Sequence, residues 1–164
     1  MGGASGRRSM PDGLYERDAL AWAERQAALL RRVAAGELVN DAVDWAHVIE
    51  EVADVGLSEL RACRSLLRQA MVHLLKLHAA PDSQAVEHWQ GEVAGFLTEA
   101  RDVFSPSMRQ RIDLADLYVD ALYRMKDRDR DGAISPPEAC PFVLDDLLAV
   151  RPDVMELVAK LDRE

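Results

Sequence analysis

The residues best suited to chemistry in this 164-residue chain form one acidic run, Asp127-Arg128-Asp129-Arg130-Asp131-Gly132-Ala133-Ile134-Ser135-Pro136-Pro137-Glu138. Its spacing is that of an EF-hand calcium loop. Alternate residues of such a turn point inward, so Asp127, Asp129 and Asp131 converge on one hard cation. Gly132 permits the backbone reversal, and the Ala133 carbonyl supplies a further oxygen. Ser135 ligates directly or holds a water, and Glu138 closes the site with two oxygens. Ile134 takes the place where these loops turn an apolar residue to the core, while Arg128 and Arg130 face outward and partly neutralise the carboxylates of the empty site. The competing expectation is a solvated Asp-Gly turn between helices. A helix carrying Leu122 and Tyr123 enters the loop. Pro136 and Pro137 suit a first helical turn, but Pro141 stops a helix already running, so the exit helix is expected from Pro141 and leaves Glu138 on a short turn. With no second loop to pair with, the site suits a stapling ion better than a sensor.

Other groups carry weaker signals. His47 and Glu50 stand three apart and share a helix face, with His73 and His78 further along. Such side chains can build a transition-metal site in a bundle, which makes a metalloenzyme the alternative reading. The order is wrong for the Glu-x-x-His pairs of di-iron proteins, and a buried polar network of Glu50, Glu51, His73 and Lys76 is the preferred expectation. Arg61, Arg64 and Arg68 make a basic stripe, expected to pair with nearby carboxylates. Gly91 and Gly95 suggest close packing against a neighbouring helix. No Ser-His-Asp arrangement, glycine-rich phosphate loop or zinc-ligand cluster occurs, so no catalytic residue is assigned.

The elements that must hold these residues read as helices throughout. Residues 1–13, with Arg7, Arg8, Pro11 and Asp12-Gly13, form a tail with no apolar segment of the kind a secretion signal needs. From Leu14 to Val33 the apolar residues Trp22, Leu29 and Leu30 recur at helical spacing, and Gly36 closes that helix. Asp44 is placed to cap the next and longest helix, whose stripe of Trp45, Val48, Ile49, Val52, Leu60, Leu67, Met71 and Leu74 runs to about His78. Gly56 is its weak point, where a kink would be easiest. A third helix is expected from about Gln84 to Phe104, and a fourth from Ser105-Pro106 through Met125. Pro141–Val150 and Pro152–Leu161 read as short closing helices. The expected fold is all-α, a helical bundle organised around one long central helix, with a single domain over residues 14–164.

Composition agrees with that architecture. Hydrophobic residues make up 49% of the chain but aromatics only 5%, so Leu, Val, Ala and Ile must supply the core. A formal net charge of -9 disfavours phosphate backbones, and nucleic acid is not an expected partner. No apolar run reaches a membrane span, so no membrane association is expected. Cys63 and Cys140 cannot make a disulfide framework, and Cys63 reads as a buried free thiol in a reduced, cytoplasmic protein.

Tyr15 and Trp22 are followed by Ile49-Glu50-Glu51-Val52, Gly56 and Ser58, then His73-Leu74-Leu75-Lys76 and Trp89, and finally Pro137-Glu138-Ala139-Cys140-Pro141-Phe142 with Leu147-Leu148. In that order the chain resembles the bacterial family named domain of unknown function 29, over most of residues 14–148. The resemblance implies a helical bundle built on a long helix and no activity. Leu77 stands where an aromatic often follows in the family, and the Asp-rich loop is not a family-wide feature. The expected protein is therefore a non-enzymatic helical module with a protein partner, carrying a calcium ion on Asp127–Glu138.

Overall fold

The computed structural model describes residues 13–126 and 136–162. Among these residues the chain is helical, with no strand: α1 (Leu14–Arg17), α2 (Ala19–Ala34), α3 (Trp45–Ala79), α4 (Val86–Val103), α5 (Leu114–Lys126), α6 (Leu144–Leu147) and α7 (Val154–Ala159). Short 3-10 turns at Asn40–Ala42, Pro106–Met108 and Lys160–Asp162 complete the order. The chain divides into two compact units, residues 1–56 and 57–164, with the boundary at Gly56 inside α3. Among the described residues no helix is long and apolar enough to cross a membrane.

In the first unit the helix expected over Leu14–Val33 is interrupted at Asp18. Its backbone leaves the helical region (φ -154, ψ 84), and its carboxylate accepts from the Ala21 N–H at 3.0 Å, so it ends α1 and caps α2. Gly36, at φ 83, closes α2. The Gly36 N–H reaches the Val33 carbonyl and the Glu37 N–H reaches that of Arg32, so the two orphaned carbonyls are satisfied in a Schellman turn. Buried side chains are few here: Trp22, Val43 and the polar Gln26.

The second unit holds the main core. Cys63, Leu67, Ala70, Met71 and Leu74 on α3 meet Val93, Leu97 and Ala100 of α4 and Leu117, Tyr118 and Ala121 of α5. Phe142, Leu147, Leu157 and Leu161 close the cluster from the C-terminal helices. The expected basic stripe pairs across helices: Arg64 reaches Asp116 at 2.9 Å and Arg68 lies 3.7 Å from Asp120. Because both partners advance by four residues in the same direction, α3 and α5 run parallel, and α4 is the return pass. Cys63 is free and buried, donating its S–H to the Ala100 carbonyl.

Several boundaries differ from the sequence expectation. Pro106 opens only a 3-10 turn, and α5 starts afresh at Leu114, where Asp113 accepts from the Ala115 and Asp116 N–H groups at 2.9 and 3.1 Å. The first closing helix is one turn, Leu144–Leu147, and the second is capped by Asp153 through Met155 and Glu156. Gly91 and Gly95 do not mark close packing, because an added Cβ at either would meet nothing within 4 Å.

Candidate functional site

The N-terminal half of α3 carries two features side by side, a polar cluster and an exposed apolar face. Asp44 organises the cluster. Its carboxylate accepts from the Trp22 indole N–H at 3.1 Å and contacts His47 Nδ1 at 2.7 Å, while its own backbone N–H donates to the buried Gln26 amide oxygen at 2.9 Å. One side chain thus caps α3 and ties its start to α2. Desolvation works against the charged form of Asp44, but hydrogen bonds from His47 and Trp22 prevail and hold its pKa below the ordinary carboxylate value. The same contact to Asp44 raises His47 above the ordinary histidine value.

Tyr15 stacks on the His47 ring, with centroids 4.0 Å apart, and meets Trp22 edge-on at 4.9 Å. Its hydroxyl donates to Glu51 Oε1 at 2.6 Å, and that bond is the main reason its pKa is pushed up to about 12. With so little apolar burial in the first unit, these polar and aromatic contacts are what fasten α1 and α2 to α3.

The apolar stripe expected to face a core is largely uncovered here. Ile49, Val52 and Val55 are 65%, 71% and 65% exposed, whereas Trp45 is more covered and its indole N–H donates to the Asn40 carbonyl. Further along α3, Cys63, Leu67, Ala70 and Leu74 are fully buried. Periodicity identified an amphipathic helix, but it could not tell which turns have a partner.

A second polar cluster lies in the second unit. His73 Nδ1 is 3.0 Å from the Gln69 carbonyl, which can only accept, so Nδ1 carries the hydrogen. His73 Nε2 is 2.7 Å from Glu92 Oε2 and 3.0 Å from Lys76 Nζ. That nitrogen can donate to the carboxylate or accept from the ammonium, but not both. Phe96 and Trp89 flank the group, the latter with Lys76 over its ring. The network expected of Glu50, Glu51, His73 and Lys76 is therefore two separate arrangements, Glu51 with Tyr15 and His73 with Lys76 and Glu92. The partners Tyr15 and Glu92 were missed because each lies on a different helix, at no regular spacing. Among the described residues no three His, Cys, Asp or Glu side chains are grouped to hold a metal ion, and His47 and His73 are engaged as described.

Of the residues assigned to calcium, Asp127, Asp129, Asp131, Ala133 and Ser135 lie outside the described residues. Glu138 is described and exposed, on a bend. α5 enters the loop as expected and runs to Lys126. The exit differs: residues 136–143 are not helical, and α6 begins at Leu144 rather than Pro141. The Tyr118 hydroxyl donates to the Pro137 carbonyl at 2.9 Å, fixing the chain next to Glu138 to the core. A surface cleft of about 150 Å³ near α6 and α7 is lined by Asp146, Arg151, Asp153, Glu156 and Lys160, and its Lys160 is paired with Asp146.

A family model described as "Domain of unknown function DUF29" matches residues 14–151. Among solved structures, an alpha-helical protein of unknown function from Rhodospirillum rubrum is 29% identical and aligns with a TM-score of 0.68, covering 90% of this chain and 96% of that one. No curated protein matches the chain.

Proposed function

The chain belongs to the DUF29 family, and on that premise we propose that it is a non-enzymatic helical module that binds a protein partner through the N-terminal half of α3. The observation that carries this reading is the exposed apolar face of Ile49, Val52 and Val55 on an otherwise well-formed helix. Covering such side chains is worth about 1.5–3 kcal/mol each, a large incentive for a partner to dock. The neighbouring Asp44, His47 and Tyr15 contacts hold the presenting helix in place. A photo-crosslinking residue at Val52, introduced in the native cell, should yield a discrete protein adduct. The same residue at buried Leu74 should not. Absence of any adduct at position 52 would remove this reading.

We further propose that Asp127, Asp129, Asp131, Ala133, Ser135 and Glu138 hold a calcium ion that staples the loop. The spacing of those residues supports it, as do the entering helix α5 and the anchored Pro137 carbonyl. Calcium at a hundred times its dissociation constant would stabilise the fold by about 2.7 kcal/mol. Glu138→Gln should remove most of that gain. A melting temperature indifferent to millimolar calcium would leave the loop an acidic turn.

A further inference from the structure

We infer that the partner seated on the N-terminal half of α3 is the same helix of a second copy of this chain, running antiparallel. The inference rests on the interaction reading above and names its partner. Every residue from Ile49 to Gly56 is exposed, and the polar contacts from α1 and α2 reach Asp44, His47 and Glu51 instead. Trp45, Ile49, Val52 and Gly56 follow one another at steps of four, three and four residues, the spacing by which two helices interlock. At about 100° per residue these four fall within an arc of about 60°, with Val48 and Val55 on one side and Ala46 and Ala53 on the other. His47, Glu50, Glu51 and Asp54 all lie more than about 100° from its centre.

This seam is its own complement when the second copy runs the opposite way. With the two-fold axis level with the Glu50–Glu51 bond, Ile49 of each copy meets Val52 of the other, and Trp45 of each comes over Gly56 of the other. Trp45 is the bulkiest residue of the seam and 39% exposed, while a Cβ at Gly56 would meet nothing within 4 Å. The ring of one copy therefore finds open space on the other. A parallel pair would set Trp45 against Trp45 and Gly56 against Gly56, crowding one end and leaving the other empty. Charge agrees with an identical partner. The positions flanking such a seam are where helix pairs carry the charges that choose a partner, and here they are Ala46, Val48, Ala53 and Val55. No carboxylate of one copy is brought against its twin, and nothing beside the seam selects a charged partner. A seam about 16 Å long on a helix about 10 Å wide cannot bury the ~800 Å² per partner of a standard interface. The pair is accordingly weak, and dilute protein is monomeric.

The test is sedimentation of the full chain over a concentration series from about 1 μM to about 1 mM, across which a dimer should grow in. Ile49→Lys and Val52→Glu, each alone, should weaken that dimer at least roughly tenfold while leaving the circular dichroism spectrum unchanged, since both side chains are exposed in the monomer. Mixed in equal amounts, the two variants should associate again, because the register sets the new ammonium of one against the new carboxylate of the other. The Val52 crosslink formed in the cell should carry the mass of two chains. A chain that stays monomeric throughout the series, with a Val52 adduct of some other mass, would overturn the second copy and leave the interaction face standing. A monomer with no adduct would remove both readings. A dimer that either single variant leaves intact would place the contact elsewhere and overturn the inference. Failure of the mixed variants to associate would overturn the antiparallel register, and the inference with it.

Discussion

Tyr15 lies nearly parallel to the His47 imidazole, tilted by 20° at a centroid distance of 4.0 Å, and beneath it His47 Nδ1 meets Asp44 at 2.7 Å. The charge state of His47 therefore bears on how the first unit holds together. Its pKa is raised by Asp44, so the protonated form is favoured by folding. That contribution is fully present below the ordinary histidine value of 6.5 and is lost as pH rises through the raised folded value. Asp44, lowered in the fold, contributes above its ordinary value of 3.8 and is lost as pH falls through the lowered one. An NMR titration should find His47 above 6.5, and Asp44→Asn should return it toward that value. A wild-type His47 that titrates at the ordinary value would mean the contact is not kept in solution.

Trp22→Phe keeps the buried ring but removes the N–H that donates to Asp44. Hydrogen bonds to charged groups are worth about 1.5–3 kcal/mol, and the first unit has little apolar burial to compensate. The first unit should become easier to open, seen as faster hydrogen exchange in α2 with α4 and α5 unaffected. Unchanged exchange would show that the indole N–H contributes no more than its ring.

Much of this arrangement was legible in the sequence. The long helix was expected from Asp44 to His78 and spans Trp45–Ala79, unbroken at Gly56, because capping residue, periodicity and the later Pro81 all agree. Gly36 was legible for the same local reason. Asp18 was not, since one polar residue in an amphipathic run reads as a solvent-facing position until its backbone is seen to leave the helix. Nor was the exposure of Ile49 and Val52, because periodicity defines a face without saying what lies against it. The pairing of His73 with Glu92 required knowing that α3 and α4 lie side by side.

His73→Ala leaves Glu92 and the Gln69 carbonyl without their imidazole partner. Stability should fall by about 1–3 kcal/mol for the lost contacts, one of them to a charged carboxylate. His73→Asn restores a donor and should recover part of the loss. A chemical-denaturation midpoint insensitive to both changes would show that solvent replaces the imidazole at no cost.

Leu74→Ala and Val52→Ala probe two positions of one helix. Leu74 is fully buried, so its truncation should cost about 2–5 kcal/mol. Val52 is exposed, and the same change there should stay within about 0.5 kcal/mol. Comparable losses at both sites would mean that residue 52 is covered in solution.

Gly56→Ala should stabilise the protein by about 0.5–1 kcal/mol, because the site is helical and the added methyl meets open space. A decrease in melting temperature would indicate that α3 departs from a regular helix at Gly56 in solution.

The parallel run of α3 and α5 bears on how the chain folds. Arg64 and Asp116 are 52 residues apart, so joining them closes a long loop. His73 and Glu92 are separated by roughly twenty residues, and the shorter closure is favoured by roughly 1 kcal/mol. The antiparallel α3–α4 hairpin should therefore assemble first and present its groove to α5. In kinetic terms, Leu97→Ala in α4 should mainly slow folding, whereas Leu117→Ala in α5 should mainly hasten unfolding. Such a split in the two arms of the chevron would make the return pass the nucleus and α5 its late addition.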